Sequence, residues 1–247
     1  MDTEFQKDFL RDLRVTDSSP APVLALFGKH PAWNDDMEDF GLSTASLRTC
    51  KRLLYLQGIA ANAARQQSEA GVVQPYRHFL LWVRGCEALL IRMVESGDGR
   101  GPFLAAVHFD SAEMQRSLRQ LLPALRSLVD QCLITQSREA LGELHRQARD
   151  QISAELQHLP QDELANESST TEEFFALRGL GGSRVFMLMK VSITRHDQAQ
   201  AFAALSTAWR GSAGEKVLLI AQADPAPSMT LAANEPGTDD FWFLRKG

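Results

Sequence analysis

The sequence predicts an α+β fold, a mostly antiparallel sheet of about five to seven strands with helices packed on its faces. Three observations point there. Strand-like apolar runs occur once near residue 23, then three together before residue 110, then singly in the last third, which is not the regular strand–helix alternation of a doubly wound parallel sheet. Two of the clustered runs are joined by a tight turn, the signature of an antiparallel hairpin. Between Asp110 and Pro160 the apolar spacing switches to the three-to-four period of helices.

Taken in order, residues 1–22 form a leader, a short amphipathic helix through Phe5, Phe9, Leu10 and Leu13 that Asp17-Ser18-Ser19-Pro20 should end. Val23 to Phe27 is an apolar run closed by Gly28, the pattern of a buried strand. A polar loop from His30 to Leu42 follows. Ser43 or Thr44 caps a helix whose stripe runs through Leu47, Cys50, Leu54, Gly58 and Ala61. His78–Val83 and Ala88–Val94 make a hairpin around Arg84-Gly85-Cys86-Glu87, and a Gly-rich loop, 97–102, leads to a third strand, Phe103–Phe109. Asp110 with Glu113 is a capping-box signal for a helix through Leu118, Leu121, Leu122, Leu125, Leu128, Val129, Cys132 and Leu133. Pro123 inside it should kink the helix or mark its true start. A second helix runs through Leu141, Leu144, Ala148, Ile152 and Leu156 to Pro160.

The helical middle therefore spans 111–159, and 161–169 is a polar hinge. Thr170 with Glu173 caps a short helix holding Phe174, Phe175 and Leu177, which Gly179-Leu180-Gly181-Gly182 breaks. Val185–Ile193 is β-prone, Asp197 with Gln200 opens another helix, and Lys216–Ala221 and Asp240–Leu244 supply late strands. With too few late strands to close a sheet of their own, 23–247 reads as a single domain.

Composition excludes several classes. The 247 residues are 44% apolar and 23% charged, an ordinary globular balance that argues against disorder or a disulfide scaffold. A net charge of −5 speaks against a global nucleic-acid or anionic-membrane footprint. Cys50, Cys86 and Cys132 are odd in number and widely spaced, so no Cys-x-x-Cys pair exists and a reducing, cytoplasmic setting is expected. No secretory leader or apolar run of membrane-spanning length is apparent, so no membrane insertion is expected.

Chemical motifs are sparse. Phe27-Gly28-Lys29-His30 lacks the upstream Gly and following Ser or Thr of a phosphate loop. Asp35, Asp36, Glu38 and Asp39 cluster four carboxylates without the grammar of a cation loop, which reads as a solvated face or an acidic contact surface. The six histidines form no H-E-x-x-H or i, i+4 pair, and read mostly as surface or strand-edge residues. Ser183 is not in a nucleophile elbow. The four tryptophans read as core or interface. No metal or other cofactor is expected.

Three segments resemble the type VI secretion-associated TagF-type family. Leu26-Phe27-Gly28-Lys29-His30-Pro31-Ala32-Trp33-Asn34-Asp35-Asp36 is similar to its Phe-Gly-Lys-x-Pro segment, which an acidic residue follows, with Trp33-Asn34-Asp35 replacing small residues and glycine. Asp98-Gly99-Arg100-Gly101-Pro102-Phe103-Leu104 resembles its Gly-Arg-x-Phe-Pro-Leu block, with the proline ahead of Phe103. Phe241-Trp242-Phe243 resembles an aromatic closing strand. The motif residues are thus Phe27, Gly28, Lys29, Pro31, Asp36, Gly99, Arg100, Phe103 and Trp242.

The resemblance implies a non-catalytic accessory protein that restrains assembly of a contractile secretion apparatus after translation, through a cytoplasmic scaffold partner carrying a forkhead-associated domain. Phe27, Pro31, Phe103 and Trp242 read as structural. Trp33, Asp35, Asp36, Glu38 and Asp39 are the candidate partner-binding residues, with Trp33 as anchor and the acids as rim. Two other classes stay open: an enzyme using Asp35 or Asp36 with His30 or Arg100, and a structural interaction module of another system.

Overall fold

The computed structural model describes residues 21–33, 37–60, 76–97 and 101–157, and the backbone of three later strands, 186–190, 218–223 and 228–233. The leader helix, the hinge at 161–169, the helices after Thr170 and Asp197 and the strand at Asp240–Leu244 lie outside them.

The fold is α+β around an antiparallel sheet. Strand β1 (Val23–Gly28) is followed by helix α1 (Ala45–Cys50), which runs on as a π-helix, Lys51–Ala60. The meander β2 (Arg77–Arg84), β3 (Glu87–Glu95) and β4 (Pro102–Asp110) precedes α2 (Met114–Ile134) and α3 (Arg138–Gln157). Strand β1 pairs with β4, giving the order β1-β4-β3-β2. Beyond β2 the backbone ladder continues through β6 (Leu218–Ala223), β7 (Ser228–Ala233) and β5 (Phe186–Lys190), all antiparallel.

The hairpin and meander form where the apolar runs and the 84–87 turn place them, with Gly85 at φ 57 in a two-residue turn that sets Arg84 opposite Glu87. Pro102 opens β4, where its missing N–H costs least. Near-continuous burial along β2, β3 and β4 means both faces are covered. One face, with Leu24, Leu26, Phe79, Leu90, Phe103 and Val107, packs under α2 and α3. The other, with Phe27, Leu80, Ile91 and Ala106, packs under α1 and its π-helical extension.

Helix α2 begins where the sequence places it. Asp110 accepts from the Ala112 N–H at 2.8 Å and caps a 3-10 turn, Ser111–Glu113, that leads into the helix; the Glu113 side chain lies outside the described residues. Pro123 is not its start: the helix runs across it, with Pro123 on the exposed side. Leu133, expected on the buried face, is 44% exposed, because the helix ends within two residues of it.

Thr44, rather than Ser43, caps α1, accepting from the Leu47 N–H at 3.2 Å. The expected stripe is buried at Leu47, Cys50, Leu54 and Gly58, but from Lys51 the helix has the wider π turn, and Ile59 is buried beside Gly58, while Ala61 lies outside the described residues.

The histidines depart from expectation. His30, His78, His108 and His145 are all buried, whereas His158 and His196 lie outside the described residues. Burial favours the neutral imidazole: it lowers His78 to about 4, with Arg92 adding to the effect. His108 is lowered too, against the pull of Glu87, whose carboxylate lies 3.7 Å away. His145 Nε2 donates to the Leu24 carbonyl at 3.0 Å and so ties α3 to the outer edge of β1. That edge is further closed by Phe40, which exchanges two backbone hydrogen bonds with Leu26.

Candidate interaction surface

The loop after β1 leaves and rejoins the same strand. Gly28, at φ 100, turns the chain where a Cβ would run into the Pro102 carbonyl, and the Lys29 N–H donates to that carbonyl at 3.0 Å. Twelve residues later the Phe40–Leu26 bridge closes the loop, making 29–40 a compact loop with adjacent ends.

Its first half is packed, not free. His30 is fully buried, its ring stacked on Trp33 at 3.7 Å between centroids and set edge-on to Phe103 at 6.1 Å. The His30 Nδ1 accepts from the Ala32 N–H at 3.0 Å, and its Nε2 has no hydrogen-bond partner. Burial lowers its pKa to about 4. His30 thus supports Trp33 from below, with burial favouring its neutral form. Trp33 is half-buried, and its Nε1 donates at 3.1 Å to the Thr135 carbonyl just beyond α2, one of the acceptors a helix end leaves without an internal donor. The indole thus covers the C-terminal end of α2.

Pro31 is buried, its carbonyl 2.6 Å from where a Cβ on Gly97 would stand. Asn34, Asp35 and Asp36 lie outside the described residues. Met37 returns to the core, whereas Glu38 and Asp39 are exposed, Asp39 in an ion pair with Lys51 of the π-helix. Next to Trp33, α2 ends in Leu133 and in Ile134, 76% exposed. An exposed apolar helix end therefore stands next in the chain to the Thr135 carbonyl that holds the Trp33 indole.

The second motif segment reaches the same end of the sheet. The β1–β4 register sets Gly28 opposite Phe103, which is fully buried, and Phe27, also fully buried, opposite Leu104. The Ser96 N–H donates to the Gly101 carbonyl at 2.9 Å, closing the Gly-rich loop at its base, and Gly101 faces the Lys29 stem. Gly99 and Arg100 lie outside the described residues, as does Trp242, so the pairing of Asp36 with Arg100 lies outside them too. Among the described residues no group of three His, Cys, Asp or Glu side chains is placed to hold a metal ion, and no helix is long and apolar enough to cross a membrane.

Sequence reasoning missed Thr135, Leu133 and Ile134 as parts of this surface. The available signal was the pair Leu133-Ile134, which carries the apolar run past the buried stripe of α2. No protein family, curated protein or solved structure matches the chain.

Proposed function

We propose that this chain is a non-catalytic cytoplasmic accessory protein, built on a seven-stranded sheet, that resembles TagF-type factors and restrains assembly of a type VI secretion apparatus by binding a scaffold protein with a forkhead-associated domain. The observation that carries the reading is the β1–β4 register. It brings the two segments that resemble the family, around Gly28 and Phe103, to one end of the sheet although some 75 residues separate them. The loop they support presents Trp33 already held by Thr135, so little side-chain freedom is lost on binding. Ile134 and Leu133 offer further exposed apolar surface, and the acidic run Asp35, Asp36, Glu38 and Asp39, of which Glu38 and Asp39 are exposed, is the kind of sequence that suits a basic partner surface.

The test is cellular. Overproduction of the chain in its source cells should reduce the number of assembled contractile sheaths seen by fluorescence, and Ile134→Glu should restore them at equal protein level. Sheath numbers that do not respond to overproduction of the wild-type chain contradict the proposal.

A further inference from the structure

Lys51–Ala60 is wound as a π-helix for ten residues. That winding ordinarily occurs as a single turn inserted in an α-helix, frequently at functional sites. The local sequence does not call for it. Lys51, Arg52, Leu53, Leu54 and Gln57 are good α-helix formers, and the segment continues α1 directly. What the wide turn gains is tertiary. At about 100° per residue an α-helix sets Ile59 about 140° from Leu54, on another face. The π turn takes up nearly one residue more and cuts this to about 50°, and Ile59 is buried in one cluster with Leu54, Phe27 and Leu80.

The same segment props the base of the loop. The Tyr55 ring meets Phe27 edge-on at 6.5 Å between centroids. It lies 3.4 Å from where a Cβ on Gly28 would stand, and its hydroxyl 3.9 Å from that place on Gly101. The start of the segment is held, since Lys51 follows α1 and is ion-paired to Asp39. Rewinding to an α-helix from that start would carry Tyr55 through about a fifth of a turn and the far end through about half a turn. Leu54 and Gly58 would still share the inward face, so the second winding has a buried stripe of its own. We propose that Lys51–Ala60 is a two-state winding switch. In the π state Ile59 is buried and Tyr55 supports Gly28 and Gly101; in the α state Ile59 turns outward and Tyr55 leaves both glycines, loosening the base of loop 29–40. The device belongs to the fold and stands independently of the partner named above.

Relaxation-dispersion NMR of the full-length protein tests it. The expected result is exchange on the μs–ms timescale at residues 52–59 and at Gly28 and Gly101, fitted by one rate, with minor-state 13Cα shifts that remain helical. Ile59→Ala should raise the minor-state population at all of these sites. Tyr55→Ala should keep the exchange in 52–59 and remove it at Gly28 and Gly101, while the amide shifts of β2–β4 show the fold intact. Three results overturn the proposal: flat profiles across 52–59 in the wild type, exchange there with Gly28 and Gly101 silent, or coil-like minor-state shifts, which would assign the motion to local unfolding.

Discussion

Gly41 offers the sharpest test of how the loop is locked onto β1. It sits at φ 70, and a Cβ there would run into the Leu24 carbonyl oxygen and stand 2.8 Å from His145 Nε2. Gly41→Ala therefore incurs about 1–2 kcal/mol for a left-handed backbone with a side chain. It also displaces the donor and acceptor of the 3.0 Å His145–Leu24 bond, about 1 kcal/mol more. Because the obstacle is backbone rather than a flexible side chain, the strand or α3 must shift, and the total should reach about 3 kcal/mol or more, a large part of a typical domain's stability. Gly85→Ala is the control, since Gly85 has φ 57 but nothing within 4 Å of the added Cβ; it should cost only the conformational part, about 1 kcal/mol. Urea unfolding of both variants gives the comparison. Equal midpoints would refute the reasoning, because the steric contribution would then be nil.

Other consequences are open to direct measurement. Phe103→Ala, at a fully buried site, should cost about 3–5 kcal/mol, read as a lowered urea midpoint. His78 is neutral in the fold, lowered by burial and then by Arg92 to about 4, while the unfolded chain takes up its proton near the ordinary value of about 6.5. Its favourable contribution is thus complete above pH 6.5 and is lost as pH falls from there to 4, by on the order of 3 kcal/mol; His78→Gln should flatten that part of the stability–pH curve. Of the three thiols, Cys86 is exposed, whereas burial pushes the Cys132 thiol up to about 12 and Cys50 higher still. A thiol reagent should therefore modify one cysteine quickly in the native protein and all three only after unfolding.

How far these features were legible in the sequence depends on the range of the interaction that makes them. The hairpin, the meander and α2 are written locally, in Gly85, in the apolar runs and in the Asp110 cap. The π-helical extension is not, since Leu47, Cys50, Leu54 and Gly58 satisfy an α-helical stripe equally well. Pro123 misleads because its cost depends on which side of the helix it occupies. Strand β7 reads Ser228-Met229-Thr230-Leu231-Ala232-Ala233, with little β-branched content, and forms on its neighbours. The site was half visible: the Gly28 turn and the acidic run stand out in the chain, but the Trp33–Thr135 bond joins residues 102 apart, and no local pattern encodes it. Likewise, buried histidines look like any others until the fold surrounds them.

The proposed function rests on the end of α2 and the loop over it serving as a binding surface for a forkhead-associated scaffold. Calorimetric titration of the chain with the scaffold protein of a type VI system from the same genome tests this most directly. The account predicts saturable binding by the wild type, weakened by at least about 2 kcal/mol, roughly thirtyfold, in Ile134→Glu, with the variant's unfolding midpoint unchanged because Ile134 is 76% exposed. No binding by the wild type, or undiminished binding by a folded Ile134→Glu, would contradict it.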